Sequence, residues 1–283
     1  MLWQEDVWDE EREREAQDIL RSKPATLSKF WQNKYKKGCQ RYWHQFYKRN
    51  RCNFYKDRHY LETVFPVLAE TDEDRSNAER TKSLPSRGRH GRRTMVEMGC
   101  GVGNAVFPLL EVNSGLFIIA LDLARSAIQL VKENPLYSLR CAAFTCDATA
   151  DPLPELVSED GGVDAVLLLF CLSAVAPEKQ ATVVRKAAAA LKPGGAILFR
   201  DYGQYDEAQL RFGRNSKLQN DLYVRQDGTL AYYFSLDRIR ELMVEEAGLV
   251  ELECCNILRQ YSNRQQQKAR RRVWVHAQFV KPS

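Results

Sequence analysis

The chain lacks several features that define common classes of protein. It contains no run of about eighteen apolar residues, so the sequence gives no indication of a membrane-spanning helix. Its eight cysteines include no Cys-x-x-Cys pair, so we expect buried thiols and no structural metal. The acidic start lacks both the apolar core of a signal peptide and the basic character of a transit peptide. A cytoplasmic or nuclear protein is therefore expected.

Two common phosphate-binding motifs are also missing. No Gly-x-Gly-x-x-Gly fingerprint occurs, and no glycine-rich loop ends in Gly-Lys-Ser/Thr, which argues against NAD and ATP. Instead, residues 95–103 read Met-Val-Glu-Met-Gly-Cys-Gly-Val-Gly, an apolar strand that enters a glycine-spaced turn. In open α/β sheets such a turn lets the backbone approach a nucleoside cofactor closely. A tight turn without a ligand is the alternative interpretation.

Acidic side chains lie at or near the ends of the predicted strands, where they could contact a cofactor. Glu97, just before the glycines, suits an ammonium group, and Asp122, about twenty residues later, suits ribose hydroxyls. Asp147 ends the third strand and can accept from an adenine amino group, on which Leu169 can pack. S-adenosyl-L-methionine carries all these groups, so we expect it as the cofactor. The residues expected to bind it are Glu97, Gly99, Gly101, Gly103, Asp122, Asp147 and Leu169.

Strands and helices alternate along the second part of the chain, which predicts a mostly parallel, doubly wound sheet. An antiparallel hairpin at residues 251–256 and 273–279 completes a seven-stranded, Rossmann-like sheet of the class I methyltransferase type. The other strands are expected at residues 117–122, 142–146, 163–170 and 196–199, with helices at 126–134 and 178–191.

Composition divides the chain into four parts. Residues 1–26 are an acidic extension, helical or disordered, and residues 27–70 an N-terminal helical cap. Residues 71–93 are rich in Arg, Ser and acidic residues without apolar periodicity, which predicts a flexible linker. Residues 94–283 form the methyltransferase domain, with a basic hairpin loop near residues 262–272 that either grips phosphates or is simply solvated.

The segment at residues 29–58 interleaves many Lys and Arg residues with aromatic rings, against a single acidic residue, Asp57. Cations contact phosphates and flat rings stack on unpaired bases, so the combination favours an RNA surface. The alternative is an amphipathic helix that packs its aromatic rings on the core, and both interpretations can hold together.

Five sequence blocks resemble those of the methyltransferase-like family that makes 3-methylcytidine in tRNA. They are Trp43-His-Gln-Phe-Tyr-Lys-Arg-Asn50, Asn53-Phe-Tyr-Lys-Asp-Arg-His59, Glu97-Met-Gly-Cys-Gly-Val-Gly-Asn104, Phe199-Arg-Asp-Tyr-Gly203 and Tyr223-Val-Arg-Gln-Asp-Gly-Thr229. The likeness runs from about residue 27 to residue 282. The chain departs from the family at its acidic start, in its longer linker, and at Tyr60, where the family often has tryptophan.

The resemblance implies substrate, partner and further site residues. It is strongest to the branch that modifies position 32 in the anticodon loop of serine tRNAs and works with seryl-tRNA synthetase. It also implies that Trp43, Tyr47 and Ala148 contact the cofactor, and we expect a monomer. The residues expected to bind RNA are Lys48, Arg49, Phe54, Lys56, Arg58, Arg200, Arg225, Arg270 and Arg271.

The expected chemistry follows from the atoms of cytosine. Its N3 carries a lone pair and no proton, so attack on a sulfonium methyl needs alignment more than a general base. Asp201 is the catalytic candidate, because a carboxylate that accepts from the exocyclic amine stabilises the cationic product. Tyr202 and Arg200 would order this loop or stack on the base. Arg58 would hold cytosine O2 or an adjacent phosphate, or would instead form a structural ion pair with Asp57 or another carboxylate.

Two other functional classes stay open at this point. The sheet also serves methyltransferases that act on a protein or a small molecule, since fold alone does not fix the substrate. A non-catalytic RNA-binding module is the second alternative. The segment at residues 223–229 is expected to be a loop near the RNA entrance or a simple hairpin turn.

Overall fold

The computed structural model describes residues 3–6, 8–23, 26–81, 89, 91–263 and 268–283. The acidic extension contains strand β1 (Trp3–Glu5) and helix α1 (Glu10–Arg21). Asp9 begins α1, because its side chain accepts from the backbone amide of Arg12 at 2.8 Å and satisfies a free N–H group of the first turn. The extension is therefore helical from Glu10 to Arg21.

The N-terminal cap consists of α2 (Lys29–Lys37), α3 (Cys39–Asn50) and α4 (Leu61–Val64). The buried face of α3 carries three aromatic rings, those of Trp43, Phe46 and Tyr47. These rings pack on two small side chains of the methyltransferase domain, Ala124 and Ala127. The helix therefore lies close against that domain, and the amphipathic interpretation is correct for these three rings.

The prediction of a flexible linker over residues 71–93 is wrong for its first part. Helix α5 (Asp72–Thr81) begins in a capping box, in which Thr71 and Asp74 bond each other's backbone amides at 3.0 and 3.1 Å. Asp74 is buried and forms an ion pair with Arg93 at 2.7 Å. Because polar interactions of its first turn stabilise this helix, the hydrophobic periodicity of the sequence did not predict it. Residues 82–88 and 90 lie outside the described part of the chain.

The remaining strands and helices alternate as predicted. They are β2 (Arg93–Met98), α6 (Val106–Val112), β3 (Leu116–Asp122), α7 (Arg125–Glu133), β4 (Cys141–Thr145), β5 (Val163–Leu169), α8 (Pro177–Ala190), β6 (Leu191–Tyr202), α9 (Glu207–Leu210), β7 (Lys217–Gln219), β8 (Leu222–Val224), β9 (Leu230–Tyr232), α10 (Leu236–Arg240), β10 (Val250–Asn263) and β11 (Lys268–Val280). The largest difference from expectation is β6, which begins before the Lys-Pro-Gly-Gly turn that was expected to precede it.

The main sheet has eight strands in the order β1-β10-β11-β6-β5-β2-β3-β4. Strands β2 to β6 pair in parallel, and the hairpin β10–β11 joins β6 antiparallel. The predicted seven strands are all present, and β1 adds an eighth through three residue pairs with β10. The connections leave in opposite directions from the neighbouring strands β2 and β5, so a crevice opens at their carboxyl ends, where nucleoside ligands bind in such sheets.

Apolar layers cover both faces of the sheet. On one face α8 and α10 bury side chains such as Val183 and Ile239, and on the other α6 and α4 bury Leu109 and Leu61. Burial of each such side chain contributes roughly 1.5–3 kcal/mol. These layers fix the strand ends that form the crevice.

A second, three-stranded sheet of β7, β8 and β9 lies against the cap. The amide of Leu27 donates to the carbonyl of Lys217 at 2.9 Å, which ties the start of the cap to β7. Between β8 and β9 the Arg225 amide donates to the Thr229 carbonyl at 2.8 Å. Residues 223 and 224 therefore belong to β8 and residues 225–229 form a hairpin turn, in agreement with the alternative interpretation.

None of the described helices is long and apolar enough to cross a bilayer. Within the same residues, His, Cys, Asp and Glu side chains form no group of three that could hold a metal ion. All eight cysteines are free thiols, and only Cys52 among them is exposed.

Candidate active site

A cavity of about 500 Å³ occupies the crevice between the sheet and the cap. The sheet side supplies Gly99, Asp122, Asp147 and Ala148 as walls, and the cap covers them with Trp43, Tyr47, Gln40 and other residues of α2 and α3. The volume is in the range of pockets that bury most of a small ligand. Six of the predicted cofactor residues therefore come together in one place.

The glycine turn after β2 is tight for a clear steric reason. Gly99 has φ +72° and Gly101 has φ +56°, both in the left-handed region that favours glycine. A Cβ on Gly99 would lie 2.5 Å from the Cys171 sulfur, and one on Gly101 would lie 2.7 Å from the Tyr47 hydroxyl. The turn therefore lets β5 and the cap close on the cavity, and Gly101 acts through Tyr47 without lining the cavity itself.

Asp122 lies at the carboxyl end of β3, where the sequence placed it. Its two oxygens accept from the amides of Gly101 and Ala124 at 2.9 and 2.8 Å, and these bonds fix the carboxylate in the cavity wall. Burial raises its pKa to about 6, and the two backbone bonds act against that rise. Each oxygen keeps a second lone pair for a ligand hydroxyl.

Asp147 is held by one oxygen only. Its Oδ1 accepts from the Thr149 amide and hydroxyl at 2.9 and 2.7 Å, and Lys179 donates to that hydroxyl at 3.3 Å. The Oδ2 atom makes no hydrogen bond with any described residue and can accept from a ligand amine. Asp147, Ala148 and Thr149 together line this end of the cavity.

Three predicted cofactor residues besides Gly101 lie outside the cavity wall. Gly103 packs on Phe107, and Leu169 is buried in the apolar layer that contains Met95. Glu97 is wholly buried, which raises its pKa to about 8, against the opposing effect of the nearby Arg58. Its Oε2 atom has no hydrogen-bond partner among the described residues. Glu97 therefore keeps one unpaired acceptor oxygen next to the glycine turn, and beyond β5 the cavity is lined by Phe170, Cys171 and several of the residues that follow them.

The cap closes the cavity with aromatic rings, as the family resemblance implied. Trp43 and Tyr47 stack with ring centroids 5.8 Å apart, and both are more than nine-tenths buried. The indole Nε1 of Trp43 has no partner in the described structure. A buried donor without an acceptor marks a place where a ligand acceptor fits.

These features match S-adenosylmethionine. The cradle would be lost if Gly99 or Gly101 carried a Cβ, Asp122 and Asp147 offer acceptors for hydroxyls and an amine, and Trp43 offers a free donor. When bound, this cofactor supplies an electrophilic methyl on a sulfonium. Gly99, Asp122, Asp147, Ala148, Trp43 and Tyr47 are the residues placed to hold it.

An aromatic cluster adjoins the cavity at the end of β6. Its members are Phe170, Tyr202 and Trp274, with centroids 5.2 Å apart for Phe170 and Tyr202 and 6.3 Å apart for Phe170 and Trp274. Phe170 belongs both to this cluster and to the cavity wall. A flat ring stacked in the cluster would therefore lie beside the cofactor. The sequence indicated Tyr202 only, because the register of β11 on β6 is what brings Trp274 beside it.

Arginine side chains surround the aromatic cluster. Arg58 lies over Phe170 at 4.8 Å, while Arg225 and Arg272 lie over Tyr202 at 5.4 and 5.8 Å. Arg225 also donates to the Leu230 carbonyl at 2.8 Å, so it belongs to this cluster and not to an open RNA surface. Arg272 is also paired with buried Asp206 at 2.8 Å, so its charge is compensated within the protein.

The Arg58 guanidinium makes no hydrogen bond or ion pair within the part of the chain that the structure describes. Its backbone is held, since the Arg58 amide donates to the Asn104 carbonyl at 2.8 Å. The alternative, an ion pair with Asp57 or another carboxylate, is not formed among the described residues, and Asp57 instead accepts from the Asn104 side chain at 2.9 Å. Arg58 therefore presents its donors to a ligand.

Asp201 does not have the environment expected of a base-contacting carboxylate. It has no exposed surface, and its oxygens accept from the backbone amides of Ser173 and Tyr202 at 2.9 and 2.8 Å. Burial raises its pKa to about 6, with the bonds from Ser173 and Tyr202 opposing the rise. Asp201 ties the loop after β5 to the end of β6, and so positions Phe170 and Tyr202.

Arg200 is likewise not on the surface. It is 5% exposed and lies between the rings of Tyr60 and Trp274, at 5.4 and 5.2 Å. Burial lowers its pKa. On the two strands it pairs with Leu169 and His276, under the cap helix α4. The prediction of direct RNA contact by Arg200 is therefore wrong in this structure, because the cap covers the strand end.

The other basic residues predicted to bind RNA are accessible. Lys48, Arg49 and Lys56 are exposed on the cap, and Phe54 is 57% exposed while its edge packs on Phe46. Arg271 of the hairpin is exposed as well, and Arg270 is half-buried. The hairpin tip at residues 264–267, which carries the rest of the expected basic loop, lies outside the described residues.

Comparison with known families gives one domain match. Residues 96–197 match the family described as "Methyltransferase domain". This range runs from β2 to β6 and contains the sheet side of the cavity.

Curated relatives extend the likeness to almost the whole chain. The chain is 40% identical over 269 residues to human tRNA N(3)-cytidine methyltransferase METTL6, covering 95% of this chain and 89% of the relative. It is 36% identical over 308 residues to tRNA N(3)-cytidine methyltransferase METTL2 of Xenopus tropicalis, covering 99% and 89%. Among solved structures, a SAM-dependent methyltransferase of Anabaena variabilis shares the fold, with a TM-score of 0.58, 15% identity and coverage of 86% and 94%.

Proposed function

Because the chain belongs to the family of tRNA N(3)-cytidine methyltransferases, we propose that it methylates N3 of cytidine 32 in the anticodon loop of serine tRNAs. The chain is an S-adenosylmethionine-dependent methyltransferase with a class I fold. Transfer to a tRNA cytidine is the activity named for relatives that match nearly its full length. The site residues, the nucleotide position and the tRNA class are the finer parts of the proposal.

The observation that carries the proposal is the shared wall between the two sites. Phe170 lines the cofactor cavity and packs against Tyr202 in the aromatic cluster, so a pyrimidine held on the cluster would lie beside the cofactor. Such nearness replaces a bimolecular encounter by a fixed alignment, which is a large part of catalysis when no proton must be removed.

Recognition of cytosine falls to Arg58 in this arrangement. Its guanidinium offers five donors, and cytosine O2 is an acceptor next to N3. Since Arg58 also lies over Phe170, it is held at the boundary between cavity and cluster. A donor at O2 favours cytosine in an orientation that directs N3 to the methyl group.

The positive charge of the sulfonium passes to the base when the methyl group is transferred, so the net charge of the site does not change. The rings of Tyr202, Phe170 and Trp274 would hold the base by stacking, beside the guanidinium groups that already lie over them. Asp201 would not contact the base. It is a positioning residue that fixes two of these rings through the Ser173 and Tyr202 amides. Neither role requires a general base.

The partner and location remain proposals. Exposed cations on the cap give a moderate basic surface, which suits weak binding of tRNA alone and help from seryl-tRNA synthetase. We propose a monomer that works in the cytoplasm or nucleus, with Lys48, Arg49, Lys56 and Phe54 contacting RNA.

The test is methyl transfer from labelled S-adenosylmethionine to total tRNA, with and without seryl-tRNA synthetase, followed by nucleoside mass spectrometry. The expected product is 3-methylcytidine at position 32, enriched in serine tRNAs and increased by the synthetase. Product in other tRNAs, unaffected by the synthetase, would refute the serine branch. Absence of 3-methylcytidine under both conditions, in a preparation that binds the cofactor, would refute the proposed activity.

A further inference from the structure

A second groove lies on the outer side of the cap, between α3 and α7. It has a volume of about 440 Å³, and it is formed where the start of α7 packs against the middle of α3. The Ser126 hydroxyl donates to the His44 carbonyl at 3.0 Å, which holds the two helices together. The groove is polar and open, unlike the aromatic cavity on the other side of α3.

Three cations converge on this groove without a partner. Lys48, Arg51 and Arg125 line it and are exposed, and their side chains make no hydrogen bond or ion pair with any described residue. The carboxylate in the same groove, Glu133, accepts from Gln129 at 2.9 Å. The groove therefore carries uncompensated positive charge.

Several other exposed arginines of the chain form ion pairs, whereas Arg49 and Arg214, which are also exposed, form none with any described residue. Arg21 pairs with Asp18 at 3.3 Å, and Arg185 pairs with Glu246 at 2.6 Å. An exposed ion pair normally contributes little to folding stability. Where several cations on one concave surface lack such partners, however, they concentrate a positive potential there. The arrangement matches an anion that carries more than one acceptor oxygen.

The backbone of Arg51, at the edge of the groove, has an unusual conformation. Arg51 ends α3 with φ 49°, a left-handed conformation that is uncommon outside glycine, and its amide donates to the Tyr47 carbonyl at 2.9 Å. This conformation turns the chain back at the groove. Residues kept in such strained conformations are concentrated at functional sites.

We propose that the groove holds a phosphodiester of the substrate RNA, bound by Arg51 and Arg125 with Lys48 beside them. The proposal rests on the proposed function and adds an RNA-contact site on the methyltransferase domain itself. The Tyr47 ring separates this groove from the cofactor cavity and lines both. A phosphate held there lies on the opposite side of that ring from the cofactor, which anchors the RNA chain while the target base reaches the aromatic cluster.

The test is the salt dependence of tRNA binding for the double variant R51Q/R125Q, with a tRNA that the wild-type chain methylates. Two lost phosphate contacts should reduce the slope of log K against log salt by about 2 and weaken binding about tenfold or more. Glutamine leaves the strain at position 51 unchanged, so folding should be preserved. The cofactor Kd and kcat at saturating tRNA should stay within about twofold of wild type.

The matched control is R21Q/R185Q, which removes two positive charges elsewhere and should keep the wild-type slope. The charge-retaining variant R51K/R125K should restore most of the slope. An unchanged slope in R51Q/R125Q, or the same loss in the control, would overturn the groove assignment while wild-type methylation still supports the proposed function. A loss of cofactor affinity in R51Q/R125Q would also overturn it, because the groove would then belong to the cofactor site.

Discussion

Single residues at the end of β6 and in the cap decide how the site is built. Asp201 and Arg58 both carry the charge expected of catalytic groups, yet their surroundings differ. Asp201 is wholly buried and bonded to two amides, whereas the Arg58 guanidinium is bonded to no described residue. The first side chain is part of the support of the site, and the second is free to meet a substrate.

Substitution of these two residues should separate the roles. Asp201→Asn brings an amide N–H₂ against a backbone N–H and leaves one donor unpaired, which should cost about 1–3 kcal/mol of folding stability. Arg58→Gln should leave stability within about 0.5 kcal/mol and lower kcat at least about tenfold. Chemical denaturation and single-turnover methylation of each variant measure both quantities. Full stability of Asp201→Asn together with lost turnover would restore Asp201 as a base-contacting residue.

The sequence predicted the positions of those residues whose roles depend on their neighbours along the chain. Asp122 could be placed because it directly ends an apolar strand, and the glycines because their spacing defines a turn. Arg200 could not, since it is buried by α4 and by Trp274, which are distant in sequence. Local patterns carry no information about which distant element covers a strand end.

Elements show the same division between local and distant causes. Helices with an apolar stripe, such as α7 and α8, were found close to their observed bounds. Helix α5 was missed because its stability comes from a polar capping box and from the buried Asp74–Arg93 pair. Strand β1 was missed because three residues have no periodicity, and its pairing is set by the free edge of β10.

Removal of the Asp74 side chain should unfold α5. Asp74→Ala breaks the capping box and leaves Arg93 without its carboxylate, so we expect a loss of about 2–4 kcal/mol of folding stability. Asp72→Ala is the matched control, because Asp72 is 98% exposed and its ion pair with Arg75 should contribute less than about 1 kcal/mol. Urea denaturation measures both. Equal midpoints for the two variants would contradict the importance of the capping box.

At the scale of the whole molecule, the cap joins two binding events. Helix α3 has the cofactor cavity on one side and the cationic groove on the other, and its aromatic rings fill the space between. The doubly wound sheet was predictable from alternation alone. The position of the cap followed from the family resemblance, which placed Trp43 and Tyr47 at the cofactor, because an amphipathic pattern alone would fit any apolar surface.

Cofactor binding should therefore slow hydrogen exchange in α2 and α3. If the cap must open to release the cofactor, saturation at a hundredfold excess over Kd should increase protection of residues 29–50 up to about a hundredfold. Helix α5, which does not contact the cavity, is the internal control and should exchange at the same rate with and without cofactor. Equal rates in α3 under both conditions would show that the cap does not gate the cavity.

The direction of β11 has a practical consequence for handling the protein. Strand β11 starts beyond the carboxyl end of β6, on the side of the sheet where the cofactor crevice lies. It ends beside the first residues of β6, where the Lys281 amide donates to the Gly195 carbonyl at 2.9 Å. Strand β1 instead pairs with the end of β10 near the hairpin tip, on the same side of the sheet as the cofactor crevice. A tag, fluorophore or surface tether placed after Lys281 therefore leaves the site open, whereas one placed before Trp3 would stand at the same edge of the sheet as the cofactor crevice.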